Sequence, residues 1–151
     1  MTTLASAQLG TAAPLFDLPS STGPVRLSAY RGRPVVAFFM REFSCPMCQA
    51  HVRAMRQMAG QYPNVQFLVV GGGKLEEARN LAARFKLSFP VVADAQREAY
   101  AAYDLGKALG MMQRSGTAII DGTGVLREFI GSYMPMSSFS EREVKRVLDG
   151  L

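Results

Sequence analysis

Hydrophobic positions along the chain fall into short unbroken runs separated by stretches where apolar residues recur every three or four places. Residues 35 to 40, 65 to 70 and 89 to 93 are almost continuously apolar, as expected of strands buried on both faces. Pro90 sets the third run near a sheet edge or loop, because proline cannot donate to a strand ladder. After the first run, Val52, Met55 and either Met58 or Ala59 recur at helical spacing, with Arg53, Arg56 and Gln57 between them. That pattern predicts a helix to residue 60 with one face on a sheet, and Pro46 stands just inside its start, where a missing N–H costs nothing.

The same reading predicts helices over residues 74 to 85 and 94 to 105, the second presenting Ala99, Tyr100, Tyr103 and Leu105 as its apolar surface. Residues 117 to 121 and 125 to 130, joined by the turn Asp121-Gly-Thr-Gly124, form a β-hairpin. Ser140 followed three residues later by Glu143 marks a capping box opening a last helix, with Val144, Val147 and Leu148 facing inward. At the other end, residues 13 to 18 and 25 to 27 pair as a short hairpin around a turn-rich segment. Ser28 then caps one helical turn ended by Gly32. Residues 1 to 12 are small and polar and read as a loose arm, leaving one domain over 13 to 151. Strands alternating with helices, closed by a hairpin, indicate an α/β sandwich with a mixed sheet. A chain of 151 residues, 48% hydrophobic, buries about two-thirds of its unfolded surface without a covalent staple.

Charge and composition remove several classes of function. The net charge of +5 is spread from residue 26 to residue 146 rather than blocked, and no basic stripe carries interleaved aromatics, so a nucleic-acid partner is not expected. The first residues lack the basic and apolar regions of a signal peptide, and no apolar run reaches the roughly 18 residues of a membrane span. A cytoplasmic protein with no membrane association is the expectation. Gly71-Gly-Gly73 has neither a G-x-G-x-x-G register nor a P-loop lysine, so it reads as a flexible turn rather than a phosphate cradle. No cofactor is expected.

The two cysteines of the chain, Cys45 and Cys48, stand at the junction of the first apolar run and the first long helix, close to its one histidine, His51. Four residues enclose too short a loop for a structural crosslink to matter. In a reducing compartment a C-x-x-C beside a βα pattern is redox-active or metal-binding. Cys45 falls at the helix start, where free N–H groups and the positive end of the macrodipole favour an anion. A free cysteine is only about 3% thiolate at neutral pH, and making one mostly thiolate takes about 2.7 kcal/mol. A helix end supplies about 2 kcal/mol at best, so a cation must add to it; Arg41 is the nearest candidate and Arg114 the next. Cys48 lies one turn on, with Cβ atoms about 5 to 6 Å apart at that spacing.

Several segments together carry a resemblance. Ala13-Pro-Leu-Phe-Asp-Leu18, the segment 35 to 48 with Arg41-Glu-Phe-Ser-Cys-Pro-Met-Cys48, Phe89-Pro-Val-Val-Ala-Asp94 with Tyr103-Asp-Leu105, and Ala118-Ile-Ile-Asp-Gly122 resemble, in order, the peroxiredoxin branch of the thioredoxin-like superfamily. Within it the likeness is to the alkyl hydroperoxide reductase/thiol-specific antioxidant family, over residues 13 to 132. The resemblance implies a thioredoxin-like, peroxiredoxin-type fold: a mixed central sheet flanked by helices, with an N-terminal β-hairpin. It implies a thiol-dependent peroxidase in which Cys45 attacks a peroxide and Cys48 resolves it to an intramolecular disulfide, reduced by a thioredoxin-like or other dithiol. Arg41, Arg114, Glu42 and His51 are the supporting candidates, His51 as general acid or packing residue, Glu42 as orienter of Arg41, proton shuttle or solvated charge.

The chain departs from that family at chosen places. In P-x-x-x-T-x-x-C, counted back from Cys45, Glu42 stands for the threonine and Phe38 for the proline. The arginine the family places before its late strand is replaced by Ser115-Gly116 ahead of Thr117, with Arg114 one position off. Gly116 also stands where thioredoxin has a proline facing its C-x-x-C. Two other readings stay open: a thiol-disulfide oxidoreductase without peroxidase activity, and a zinc-binding or redox-sensing module on Cys45, Cys48 and His51, three ligands where structural zinc wants four. The apolar stretch 133 to 136 or Phe139 would serve a homodimer or cover the sheet edge.

Overall fold

The structure is a computed structural model that describes residues 7–108 and 112–151. Its elements run β1 (Asp17–Leu18), β2 (Val25–Arg26), β3 (Val35–Phe39), α1 (Pro46–Gln61), β4 (Gln66–Gly71), α2 (Leu75–Arg84), β5 (Val91–Ala93) and α3 (Glu98–Ala102). Then follow β6 (Lys107–Ala108), β7 (Met112–Gln113), β8 (Ser115–Ile120), β9 (Leu126–Ser132) and α4 (Glu141–Asp149). The main sheet has the strand order β5-β4-β3-β8-β9. Its centre, β3, runs parallel to β4 and antiparallel to β8, with Phe39 opposite both Val70 and Gly116. Every residue of β3 is buried, which is why its sequence is apolar without alternation.

Alternate side chains of the central strands feed two separate cores. Val36, Phe38, Met40, Phe67, Val69 and Ile119 pack under α1, α2 and α4, through Val52, Met55, Met58, Leu81, Val144 and Leu148. Val35, Ala37, Phe39, Leu68, Val70, Ala118 and Ile120 face the N-terminal hairpin and α3, through Val25, Leu27, Tyr100 and Tyr103. The expected mixed sheet flanked by helices and the β1–β2 hairpin are present. Of the two candidates for the inner face of α1, Met58 is fully buried and Ala59 only packs at the margin.

Four local expectations need correcting. The helix expected over 94 to 105 is only Glu98–Ala102, because Asp94 stays outside it as a cap. Its buried carboxylate accepts the N–H groups of Glu98, Ala99 and Tyr100 at 3.0, 2.8 and 3.2 Å, while Arg97 (φ 58°) and Asp104 (φ 57°) leave the helical region on either side. The turn at Leu27–Tyr30 begins before Ser28 and has no side-chain cap. Ser140 Oγ does accept the Glu143 N–H at 3.2 Å, but the Glu143 carboxylate pairs with Arg146 rather than closing the box. Of the loose arm expected over 1 to 12, residues 1–6 lie outside the described residues. Gly10 and Ala13 donate backbone hydrogen bonds to Leu126 and Gly124 at 2.8 and 2.9 Å, and Thr11 accepts from Leu126 at 2.9 Å, so this stretch is bound to the β9 hairpin.

Candidate active site

The polypeptide leaves β3 at its C-terminal end and makes a tight loop, with Cys45 N–H bonded to Glu42 O at 3.1 Å, before entering α1. Cys45 is the N-cap, with extended backbone (φ −66°, ψ 115°), and Pro46 is the first helical residue. The Cys45 Sγ takes the place of a serine or aspartate cap oxygen, accepting the Cys48 N–H at 3.4 Å. Cys48, one turn along, points inward, and its Sγ accepts the Arg41 N–H at 3.3 Å. Both thiols are free. Both cysteines are buried, Cys45 with 6% of its surface exposed and Cys48 with none, so Cys45 is the one nearer solvent. Burial pushes the Cys48 thiol up from 9.0 to about 12; the Cys45 side chain adds to this, and the backbone N–H groups of Arg41 and Glu42 oppose it.

The loop is held by Phe43. Its ring, 8% exposed, lies on the backbone where β4 ends: a Cβ built on Gly71 would sit 2.1 Å from its Cε1, and one on Gly73 3.0 Å from its Cδ2. The glycine run expected to be a flexible turn is instead a seat for this ring. Gln49 Nε2 donates to Phe43 O at 2.9 Å, tying the loop to α1. Below, the buried Tyr100 hydroxyl donates to Met40 O at 2.6 Å, with Val70 O at 3.0 Å, holding together the ends of β3 and β4. The sequence marked Tyr100 only as apolar surface. Its hydroxyl role depends on which strand ends α3 crosses, which no local pattern encodes.

The other candidates fall around this pair unequally. Extending the β3–β8 register past Phe39 and Gly116 sets Ser115 across from Met40 and Arg114 across from Arg41, so both arginines belong to the end of the sheet that carries the cysteines. The guanidinium of Arg114 lies 5.4 Å from the Tyr133 ring centre, and its Nε donates to Gly106 O at 3.4 Å. Among the described residues no ion pair or hydrogen bond engages the Arg41 side chain. Glu42 is exposed. His51 has partners of its own: its Nε2 lies 2.9 Å from Pro135 O, and its ring packs between Phe38 and Phe139, at 5.6 and 5.4 Å between centres. Among the described residues no group of three or more His, Cys, Asp or Glu side chains converges as a metal site. Gly116 is an internal residue of β8, where a Cβ would meet Ile130 O at 2.5 Å, so neither proline nor any other side chain fits there.

This geometry can be set beside known proteins. The sequence profile of the AhpC/TSA family matches residues 9–129. The chain belongs to that family. A candidate peroxiredoxin of Mycobacterium tuberculosis is 30% identical over 122 residues, covering 79% of this chain and 78% of the relative. The thiol-disulfide oxidoreductase ResA of Geobacillus kaustophilus is 29% identical, covering 95% and 78%. Among solved structures, the peroxidoxin BcpB of Mycobacterium tuberculosis superposes with a TM-score of 0.80 at 23% identity, covering 95% of both chains, and so shares the fold. At the site itself Cys45 stands at the helix start, with Glu42 three residues before it and Ser115-Gly116 ahead of Thr117.

Proposed function

We propose that the chain is a thiol-dependent peroxidase in which Cys45 is the attacking thiol and Cys48 the resolving one. The observation that carries the assignment is the asymmetry of the pair: Cys45 sits at a helix N-terminus and keeps a little solvent exposure, and Cys48 is sealed one turn behind it. Cys45 heads α1, where free N–H groups face an incoming anion, and Arg41 stands four residues before it. The thiolate sulfur attacks one peroxide oxygen, the O–O bond breaks, and the departing alkoxide or hydroxide takes up a proton. Cys45 is left as a sulfenic acid, oxidised by the two electrons the peroxide gains. The Cys48 thiol then attacks that sulfur, the disulfide forms, and its proton leaves with the hydroxyl as water. A thioredoxin-like dithiol returns the pair to the reduced state. The enzyme works in the cytoplasm without a cofactor, and Tyr133, Met134 and Met136, exposed beside α1, form a homodimer surface; Phe139 is in the core instead.

The test is consumption of hydrogen peroxide by the reduced protein with a dithiol donor, with mass spectrometry of Cys45 and Cys48. Cys45→Ser removes the activity, and a Cys45→Ser protein that still turned over peroxide would falsify the assignment. The likeness to ResA and the missing hydroxyl at position 42 favour a second reading, a thiol-disulfide oxidoreductase. That reading predicts reduction of a protein disulfide such as insulin with no oxidation of the dithiol by peroxide. The steric exclusion of a proline at Gly116 weighs against it.

A further inference from the structure

Two hydrogen bonds meet on one peptide unit just past the end of β3. Its carbonyl, Met40 O, accepts from the Tyr100 hydroxyl at 2.6 Å, and its N–H, that of Arg41, donates to Cys48 Sγ at 3.3 Å. Val70 O, 3.0 Å from the same hydroxyl, already takes the Met40 N–H at 2.8 Å, so the single hydroxyl proton goes to Met40 O. Among the described residues no backbone N–H shares that oxygen. The hydroxyl is fixed in place. Tyr100 is fully buried, its N–H is held by the Asp94 carboxylate at 3.2 Å, and its ring stands edge-on to Phe39 at 5.3 Å between centres, with the Arg97 guanidinium 5.5 Å from its own centre. Burial raises the hydroxyl above its ordinary pKa, Asp94 and Cys48 adding to the rise and Arg97 opposing it, so Tyr100 keeps its proton and stays a donor. A peptide bond is delocalised, and a donor on its oxygen draws electron density from its nitrogen and makes the N–H a stronger donor in turn.

We propose that Tyr100 is a positioning residue for Cys48: acting through the Met40–Arg41 peptide, its hydroxyl strengthens the N–H that meets the Cys48 sulfur and so stabilises the negative charge that gathers there when Cys48 attacks Cys45 and when it leaves. The proposal rests on the reading of Cys48 as the resolving thiol. On closing, the Cys48 thiol gives its proton to water and its sulfur bonds to the Cys45 sulfur, while the group carried by Cys45 departs and takes up a proton, hydroxide becoming water or a thiolate becoming a thiol. On opening, a reductant thiolate bonds to the Cys45 sulfur, the Cys45–Cys48 bond breaks, and Cys48 departs as a thiolate that is then protonated. Both steps put charge on the same sulfur. The resting thiol and the finished disulfide carry none, so the hydroxyl changes the rates in both directions and not the balance between them.

The experiment compares wild type and Tyr100→Phe in exchange with glutathione and glutathione disulfide, followed by acid quench and mass spectrometry, and separately in oxidation by hydrogen peroxide. Polarisation along a hydrogen-bonded chain alters a bond by about 10 to 30%, which for a bond to a charged sulfur amounts to up to about fivefold in rate. Closing of the Cys45–glutathione mixed disulfide by Cys48 and its reopening by glutathione both slow by about two- to fivefold in the variant, with the equilibrium constant between them within about 1.5-fold of wild type. Disulfide formation after peroxide slows by the same factor, and the first reaction of Cys45 with either oxidant does not. Closing slowed alone, with the equilibrium shifted to match, overturns the proposal, since the hydroxyl would then only hold Cys48 in place. Unchanged rates overturn it and leave the peroxidase assignment intact, and so does a first reaction slowed as much as the second. A wild-type chain that closes the disulfide from glutathione but is inert to peroxide overturns the peroxidase reading, and the glutathione rates alone then decide the role of Tyr100. One in which Cys48 never closes on Cys45 overturns both. If Tyr100→Phe does not fold, a ring-fluorinated tyrosine at position 100 keeps the hydroxyl and makes it the stronger donor; both rates then rise, and unaltered rates overturn the proposal.

Discussion

Replacing Gly71 with alanine tests whether the glycine run is a seat for Phe43 or merely a turn. Gly71 ends β4 and is not among the positive-φ residues, so alanine meets no backbone strain there. The new methyl would lie 2.1, 2.2 and 2.6 Å from three atoms of the Phe43 ring, and since carbon atoms rest at about 3.5 to 4.0 Å the ring must withdraw by about 1.5 Å. Overpacking of this kind costs about 1 to 3 kcal/mol, offset by about 0.4 to 1 kcal/mol from the smaller conformational freedom of alanine in the unfolded chain. A net loss of about 1 to 2 kcal/mol lowers Tm by about 2 to 8 °C for a domain of this size, and the urea midpoint falls at constant m. Activity suffers more, because Phe43 is two residues from Cys45 and a displacement of about 1 Å at a reacting group costs about 100-fold; at least a tenfold drop in peroxide rate is expected. Adding Phe43→Ala to Gly71→Ala makes room for the methyl, so the double variant is less destabilised than the two single losses combined. A Gly71→Ala protein within about 0.5 kcal/mol and twofold of wild type, the ordinary range for an inert substitution, would refute the reasoning.

Other expectations concern the cysteines and their supports. Because folding raises the Cys48 thiol from 9.0 to about 12, the folded chain holds that proton more tightly than the unfolded one. The stability this contributes is complete below about 9 and is lost as pH rises toward about 12. The buried hydroxyls of Tyr100 and Tyr103, also raised by desolvation, act in the same sense. Urea midpoints should therefore decline through the alkaline range, less steeply in Cys48→Ala; a flat wild-type profile contradicts this. Cys48→Ser leaves the first oxidation by peroxide intact and stops at a sulfenic acid that dimedone traps, whereas wild type gives the disulfide; absence of the trapped adduct counts against Cys48 as the resolving thiol. Asp94→Ala leaves three N–H groups at the start of α3 without their carboxylate acceptor and should cost about 1 to 2 kcal/mol, read as a lowered urea midpoint, while Asp94→Asn recovers part of it.

The strands, α1 and the final hairpin were legible because burial on one or two faces prints a period into the sequence. Val35 through Met40, and Val52, Met55 and Met58, show it directly. The short α3 was not legible: Ala99, Tyr100 and Tyr103 recur at helical spacing, and only the Asp94 carboxylate folding back onto three N–H groups shows where the helix starts. Cys45 and Cys48 stood out as residue types at a βα junction, and the fold brings Arg41 and Arg114 to their end of the sheet. His51 was flagged for nearness in sequence, but its ring is committed to Pro135, Phe38 and Phe139. Phe43 on Gly71, and Ser115 across from Met40, depend on register between segments dozens of residues apart, which the chain does not announce locally.

The sealing of Cys48 bears on which half of the catalytic cycle sets the pace. In the proposed cycle the incoming dithiol meets Cys45, the less buried residue of the pair, and Cys48 departs as the leaving group. Thiolates of high pKa leave slowly, and this one departs into an environment that pushes its thiol to about 12. The same burden falls on the resolving step, because Cys48 must give up its proton before its sulfur can attack the sulfenic acid. In the proposed cycle Cys48 is thus slow both to attack and to leave, so the sulfenic acid of Cys45 and the disulfide are the two forms that trapping during turnover should find.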